Sequence, residues 1–187
     1  MVSTKTLVVA ALVLSLCYSC SGSKDTCKWI QQMQFVYTSR RTLMTLTDME
    51  SAVSALKMNL PIPHKVYRIH KHSLTGDSVL LVFNAIRNIS AIFRGHVTAT
   101  PCKNVSELMS ALHREMKELK DCMKEMNYAE NRQTTEWKSL EVYFQKMDDY
   151  LKRENYTSDA WHAVCSQVQD HLQRIDHLMA HISKRMN

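Results

Sequence analysis

The sequence predicts an all-α fold in which five amphipathic helices form one bundle. Five separate segments repeat large apolar residues at steps of three and four, which places those residues on one face of a helix. Leu, Lys and Met, which favour helix, are abundant, with 12 methionines in 187 residues. The chain has only 3 glycines, whereas sheet-rich folds need glycine in tight turns. Because each apolar face needs cover from the others, we expect one packed core.

The N-terminus is typical of a secretory signal peptide. Lys5 precedes an apolar run over residues 7–16, and small residues follow it. Those small residues are Ser19, Ser21 and Gly22. We expect residues 1–22 to be removed, with cleavage somewhere between 19 and 22, which leaves residues 23–187 as a single domain. The apolar run is shorter than the roughly 20 residues that a membrane-spanning helix needs. The sequence therefore predicts a secreted, extracellular protein without membrane insertion.

The first predicted helix covers residues 27–49. Its apolar face is predicted to consist of Ile30, Met33, Tyr37 and Met44, with polar residues between them.

A long connection over residues 51–76, the A–B loop, follows the first helix. Its motif Leu60-Pro-Ile-Pro63 excludes helix, because proline lacks an amide donor and pushes the residue before it into extended geometry. This loop is long enough to cross the bundle, so the first two helices can run parallel. The later links are short and make each following pair of helices antiparallel. We therefore expect an up-up-down-down bundle.

The second and third predicted helices each begin at a capping signal. The second follows Asp77, a good N-cap, and ends at Gly95. The third has Thr100 as its N-cap and Pro101 at its first helical position. The predicted buried residues are Val79, Val82, Ile86, Ile89 and Phe93 in the second helix, and Val105, Leu108, Leu112, Met116, Leu119, Met123 and Met126 in the third.

The fourth and fifth predicted helices contain the remaining aromatic core. The fourth begins near Thr134 or Thr135, and the fifth at Ser158 or Asp159. The residues that we expect to anchor the core here are Leu140, Phe144 and Trp161. The other residues of these two stripes are Trp137, Met147, Leu151, Val164, Val168, Leu172, Ile175, Met179 and Ile182.

Four cysteines remain once the leader is removed. The predicted topology brings the start of the first helix and the end of the third to one pole, so Cys27 and Cys122 are expected to pair. Cys102 and Cys165 lie on helices that start at the opposite pole, and a second bond between them is possible. A buried free thiol at Cys165 is the alternative.

No pattern of catalytic residues indicates an enzyme. Phosphate-binding loops and nucleophile elbows need glycines that the chain lacks. His177 and His181 have the spacing of a chelating pair, but no glutamate lies between them as in HExxH. The formal net charge of +6 comes without an aromatic-studded basic patch, which argues against nucleic acid. We expect no cofactor, no metal and no nucleic-acid partner.

Three sequons predict N-glycosylation in an exported chain, at Asn88, Asn104 and Asn155. Asn88 falls off the apolar seam of the second helix, and Asn155 falls in the link between the last two helices. We therefore expect both of these side chains to reach solvent.

The C-terminal half resembles a known family. Residues 140–161 contain a Tyr-Phe-Gln helix, a Tyr-Leu-Lys step, a tyrosine, and an Ala-Trp pair that opens the last helix. This succession is similar to that of type I interferons. The family also places a cysteine at the end of its third helix, matched by Cys122, with a near-N-terminal partner matched by Cys27. Leu60-Pro-Ile-Pro63 with Tyr67 resembles the A–B loop of fish members. The resemblance implies a fish-type interferon, which is a class II helical cytokine.

Three departures from the mammalian pattern are visible. Asp159 stands where many mammalian members have a cysteine, and the A–B loop has no cysteine. The loop also lacks the arginine that precedes the proline segment in mammalian relatives, with Asn59 as the nearest match.

The resemblance implies a signalling function without catalysis. The protein would bind two class II cytokine receptor chains, similar to the interferon alpha/beta receptor, and trigger JAK/STAT signalling and antiviral defence. The first helix, the A–B loop and the fifth helix would bind one chain, and the second to fourth helices the other. A monomer is expected. The implied receptor contacts are Lys57, His64, Lys65 and Arg68 on the loop, and Ser166, Gln169, Asp170 and Gln173 on the fifth helix.

Two alternatives fit part of the pattern. An interleukin-10-like cytokine shares the helices and the leader but not the Tyr-Phe-Gln to Ala-Trp run. A secreted lipid carrier, from a different functional class, is also compatible with five methionine-rich amphipathic helices.

Overall fold

A computed structural model describes residues 27–31, 34–47, 58, 60–69, 75–98, 100–102, 104–129 and 135–187. The predicted leader, Met33 and Lys57 lie outside these ranges. Regular structure in the described ranges is entirely helical, which confirms the predicted fold class. The helices are α1 (Lys28–Gln31), α2 (Gln34–Thr47), α3 (His64–Ile69), α4 (Thr75–Phe93), α5 (Val105–Glu125), α6 (Thr135–Arg153) and α7 (Ser158–Met186).

One pole of the bundle joins the start of α1 and α4 to the end of α5. Cys27 forms a disulfide with Cys122 near the end of α5. Tyr128, just after α5, donates its hydroxyl to Asp77 in the first turn of α4. Gly76 makes this approach possible, because a Cβ atom there would overlap the Tyr128 ring. We call this end the Cys27 pole.

The opposite pole, which we call the Cys102 pole, joins the α4–α5 link to the start of α7. Cys102 forms a disulfide with Cys165 of α7. Phe93, the last residue of α4, stacks on Trp161 with ring centroids 5.8 Å apart. The two poles place α2 and α4 in one direction and α5 and α7 in the other, as the up-up-down-down prediction requires.

α4 lies at the centre of the bundle and contacts α5, α6 and α7. Of its 19 residues 14 are buried, including every member of the predicted apolar seam. By length and composition α4 is able to cross a membrane, but 78% of its most apolar window is buried inside the bundle. That degree of burial is typical of the core helix of a soluble protein.

α7 is the longest helix and has neighbours on several sides. It contacts α1, α2, α3, α4 and α6. Thr157 caps its start by accepting a hydrogen bond from the amide of Ala160. The three predicted core anchors, Leu140, Phe144 and Trp161, are all buried.

The apolar face predicted for the first helix is correct at Ile30, which is buried in α1, and wrong in phase over α2. Tyr37 and Met44 are exposed by 77% and 73%, whereas Phe35, Thr38 and Ser39 are buried against the bundle. The buried seam of α2 contains two small hydroxyl residues, which give no hydrophobic signal. The large apolar residues on the outer face therefore dominated the sequence pattern.

The start predicted for the third helix is also wrong. α5 begins at Val105, after Asn104 in the left-handed region at φ 56°, and not at Pro101. Cys102, three residues before α5, is bonded to Cys165 of α7, and the left-handed Asn104 separates it from the helix. The Cys102 amide donates instead to the Thr100 hydroxyl. The end of the preceding helix was predicted correctly, since Gly95 adopts φ 83° two residues after α4.

The A–B loop is not free of helix, because it contains the six-residue α3. This helix begins at His64, immediately after the second proline, where proline no longer removes a needed amide. The Val66 amide donates to the Pro63 carbonyl and closes the first turn. α4 likewise begins slightly earlier than predicted, at Thr75.

Candidate functional site

The short helix α3 presents a basic outer surface. His64, Lys65 and Arg68 are exposed, whereas Val66 and Tyr67 on the inner side are buried. α3 packs on α6 and α7. Three of the loop residues expected to contact a receptor therefore lie together on one exposed helix surface.

The exposed side of α7 forms a single narrow stripe. Ser166, Asp170 and Gln173 lie on it, with Asp170 partly buried and the other two exposed. Their steps of four and three keep them on one side of the helix. The stripe continues toward the C-terminus through the exposed His177.

Gln169, which was expected on this stripe, is buried at 8% exposure. Nearly two full turns separate Gln169 from Asp176, so both lie on almost the same side of α7. Asp176 forms an ion pair with Arg40 of α2 at 3.7 Å. Gln169 therefore points toward the side of α7 that α2 covers. The expectation that it is exposed was wrong because the buried face of α7 is wider than the apolar residues at steps of three and four indicate.

The outer side of α2 adds a third exposed row. Tyr37, Arg40 and Met44 are exposed and follow one another at steps of three and four. The Arg40–Asp176 ion pair ties this row to α7. The sequence did contain the signal, since Tyr37 and Met44 were recognised as one helix face, but that face was assigned to the core.

These rows define one candidate surface, which we call the α2–α7–α3 surface. Asp176, toward α2, and His171, toward α3, lie on α7 on either side of the exposed stripe. The Tyr67 hydroxyl of α3 is hydrogen-bonded to Nδ1 of His171 at 2.8 Å. The residues of the α2–α7–α3 surface are His64, Lys65 and Arg68 on α3, Ser166, Asp170 and Gln173 on α7, and Tyr37, Arg40 and Met44 on α2.

A buried acidic group lies beneath this surface. Glu115 of α5 is 1% exposed. Burial raises the pKa of Glu115 to about 8, against the charge of Arg114, and Asp176 adds to the rise. Arg114 itself donates to the Thr38 hydroxyl of α2 at 3.1 Å. Glu115 is therefore largely protonated at neutral pH and acts as a structural residue between α2, α5 and α7.

The three sequons differ in accessibility. Asn104 and Asn155 are exposed, and both adopt left-handed backbone at the Cys102 pole. Asn88 lies within α4, is partly buried, and donates its amide to the Asn84 carbonyl. Its sequon partner Ser90 is buried at 2% exposure. Asn88 therefore reaches solvent only in part, because most of α4 is enclosed.

Potential metal ligands do not cluster in the described part of the chain. No group of three or more His, Cys, Asp and Glu side chains converges there in a way that would hold a metal ion. His171 is the most buried histidine of the described part and is enclosed by aromatic rings. The surface described above is suited to contacting another protein.

Comparison with known proteins identifies the family. A model of the interferon alpha/beta domain matches residues 31–182, which is most of the chain. The chain belongs to the interferon alpha/beta family. Interferons are cytokines and not enzymes, so the absence of a catalytic motif agrees with the family.

Two fish relatives sharpen the identification. Interferon a3 of Oncorhynchus mykiss is 27% identical to this interferon over 159 residues, which cover 82% of this chain and 85% of the relative. The structure of zebrafish interferon 1 superposes with a TM-score of 0.67 at 22% identity, and covers 83% of this chain and 99% of that one. The second likeness shows the fold. The family model and the Oncorhynchus mykiss relative support a fish-type type I interferon.

Proposed function

We propose that this interferon is secreted and brings together two class II cytokine receptor chains, which starts JAK/STAT signalling and antiviral defence in the target cell. Membership of the interferon family supports a cytokine that acts through receptors. The observation that carries the finer proposal is the α2–α7–α3 surface, whose exposed side chains are not needed for the core.

The composition of this surface suits a receptor interface. Tyr, Arg and Met are enriched in protein interfaces, and Tyr and Arg often carry much of the binding energy. Tyr37, Arg40 and Met44 supply these types on α2. The basic side chains of Lys65 and Arg68 suit an acidic patch on the receptor and would steer association. We assign the first receptor chain to this surface.

The second receptor chain is assigned to the other side of the bundle. The family resemblance implies a contribution from the second, third and fourth predicted helices, which are α4, α5 and α6. α4 is mostly buried, so it has little to offer. The second contact is therefore formed by α5 and α6, where Val142 of α6 is a large apolar side chain with 55% exposure.

One charge reversal tests the first assignment. Arg68→Glu is expected to weaken binding to the first receptor chain more than tenfold, or about 1.4 kcal/mol. Arg94→Glu is the matched control, because Arg94 is also exposed but lies at the Cys102 pole. Surface plasmon resonance with both receptor chains should show the loss for Arg68→Glu and the first chain only. Wild-type signalling by Arg68→Glu would remove α3 from the interface.

The wild-type protein separates the functional classes. Purified protein added to fish cells should induce an interferon-stimulated reporter and protect the cells against virus. Induction of an interleukin-10-type response without antiviral protection would support the first alternative. A lipid that co-purifies with the protein, found by mass spectrometry together with absent receptor binding, would support a carrier.

Glycosylation is proposed at Asn104 and Asn155. Both are exposed at the Cys102 pole, where glycans leave the sides of the bundle free for receptors. Protein secreted from fish cells should lose mass on treatment with N-glycosidase. Peptide mapping should find deamidation at these two positions and not at Asn88, whose sequon lies within the enclosed α4.

A further inference from the structure

α3 is too short to hold its position by helix propensity. Isolated helices of fewer than about 12–15 residues are marginal in water, and α3 has six residues. Its place on the bundle therefore depends on side chains that point inward. Among the side chains that the structure describes here, those of Ile62 just before the helix, and of Val66 and Tyr67 within it, are buried.

Tyr67 makes the polar contact that ties α3 to the bundle. Its hydroxyl lies 2.8 Å from Nδ1 of His171, and the bond is buried. His171 is 0% exposed and Tyr67 is 6% exposed. The two residues are 104 positions apart in the chain, so this bond joins the A–B loop directly to the last helix.

Aromatic rings of α6 enclose the bond. The centroid of the His171 ring lies 4.9 Å from that of Tyr143 and 5.0 Å from that of Phe144. Tyr143 in turn donates its hydroxyl to Gln167 of α7 at 2.5 Å. The ring contacts with Tyr143 and Phe144 hold the His171 ring, and its Nδ1 atom faces Tyr67 of α3.

The charge states favour a permanent bond. Burial, with the positive charges of Arg174 and His64, lowers the pKa of His171 to about 3, so the ring is neutral at physiological pH. Burial also raises the pKa of Tyr67, which keeps its phenol protonated. A neutral imidazole carries its proton on one ring nitrogen, so the phenol donates to Nδ1 in one tautomer and accepts from Nδ1–H in the other. The bond forms in either neutral tautomer.

A directional bond constrains α3 more than apolar packing alone does. Apolar side chains tolerate small slides and rotations, whereas a buried donor that loses its acceptor is strongly disfavoured. Lys65 and Arg68 project from the opposite side of the same helix. Fixing Tyr67 therefore also fixes the basic surface relative to the exposed stripe of α7.

We infer that Tyr67 and His171 are positioning residues, which lock α3 in the orientation that the first receptor chain recognises. This inference rests on the proposed function. Neither side chain is exposed enough to touch a receptor, so both act through Lys65 and Arg68. Holding the loop in place before binding removes the ordering cost that a free loop would add to association.

Two single variants and their combination test the lock in the full-length chain. Tyr67→Phe removes the hydroxyl, and His171→Phe removes the ring nitrogen to which it is bonded. Each should speed amide hydrogen exchange of residues 64–69 at least tenfold, with α4 to α7 unchanged, and weaken first-chain binding three- to tenfold. Binding to the second chain should not change. The double variant leaves neither partner's polar atom unpaired, so its stability should recover. It still lacks the directional bond, so exchange of residues 64–69 should stay fast and first-chain binding should stay weak. Recovery of both properties to wild type would overturn the positioning role.

Tyr143→Phe is the matched control, because it keeps the aromatic ring that packs on His171 and removes only a neighbouring hydroxyl, which is bonded to Gln167. It should leave exchange at 64–69 and first-chain binding unchanged. Faster exchange in Tyr67→Phe with unchanged binding would overturn the positioning role, as would unchanged exchange. If wild-type protein binds no receptor chain, the proposed function fails, whereas the exchange measurements still decide whether the lock exists.

Discussion

The last helix is held in two different ways along its length. Near its start, Trp161 stacks on Phe93 and Cys165 is bonded to Cys102, so the contacts are apolar and covalent. Further along, His171 and Asp176 are buried polar residues that reach α3 and α2. Apolar burial supplies most of the stability of a fold, whereas buried polar groups require particular partners. The comparison indicates that the start of α7 stabilises the bundle and its middle fixes where the flanking helices lie.

The largest expected effect is at the start of α7. Trp161→Ala should lower the free energy of unfolding by about 3–5 kcal/mol, because the indole is fully buried and leaves a cavity. Urea denaturation measures the change. Val142→Ala, at an exposed position of α6, should alter stability by less than about 0.5 kcal/mol. If Trp161→Ala is as stable as wild type but no longer binds receptor, Trp161 is a contact residue. The start of α7 would then not have the stabilising role assigned to it.

The second disulfide tests the covalent part of the same region. Replacing Cys102 and Cys165 together by serine should cost about 2–4 kcal/mol, since the bond closes a long loop in the unfolded chain. Peptide mapping without reduction should still find Cys27 joined to Cys122. A Cys27–Cys165 link in the wild-type protein would contradict the arrangement of the poles.

Two glutamate substitutions compare the covered and exposed sides of the middle of α7. Gln169→Glu should destabilise the protein by about 1–3 kcal/mol, because a carboxylate would be buried under α2. Ser166→Glu, on the exposed stripe, should change stability by less than about 0.5 kcal/mol. Thermal melting of the two variants is the measurement. Equal melting temperatures would show that Gln169 is accessible after all.

The buried groups His171 and Glu115 should make the stability of the protein depend on pH in opposite directions. His171 is neutral in the fold and binds its proton only near pH 3, so stability is lost as pH falls from 6.5 toward 3. Glu115 keeps its proton up to about pH 8, so its stabilisation is full below 4.5 and is lost as pH rises toward 8. Each slope is at most about 1.4 kcal/mol per pH unit.

These two contributions offset each other between pH 4.5 and 6.5, where stability should be nearly flat. His171→Phe should remove the loss of stability on acidification, and Glu115→Gln should remove the loss above pH 6.5. Urea denaturation at a series of pH values checks both. Parallel pH profiles for the two variants and wild type would show that neither group is buried in the way described.

Much of the fold could be predicted because four helices follow strict apolar spacing. Every residue predicted for the seams of α4, α6 and α7 is buried. In α5, Met116 and Met126 are only partly buried, and the rest of the seam is fully buried. The prediction of the buried face of α2 was wrong because that face includes Thr38 and Ser39, which hydrophobic periodicity does not detect.

The candidate site was predicted in part. Sequence placed Lys65, Arg68, Ser166 and Gln173 on exposed surface, and the structure does so too. Tyr37 and Met44 were missed because an exposed aromatic or methionine on a helix has the same spacing as a buried one. The role of His171 could not be predicted from the sequence, since the role of a single histidine within an apolar helix depends on the residues that it contacts in the fold.

The sequence by itself determined the helices, their order, the family, and the cysteines available for bonding, because these depend on local spacing and on short motifs. Only the tertiary structure decided which sides of α2 and α7 are covered, where α5 begins, and that α3 exists in the A–B loop. The reason is physical. Burial depends on neighbours distant in the chain, as the 104-residue separation between Tyr67 and His171 shows, and no local pattern records where such a neighbour will lie.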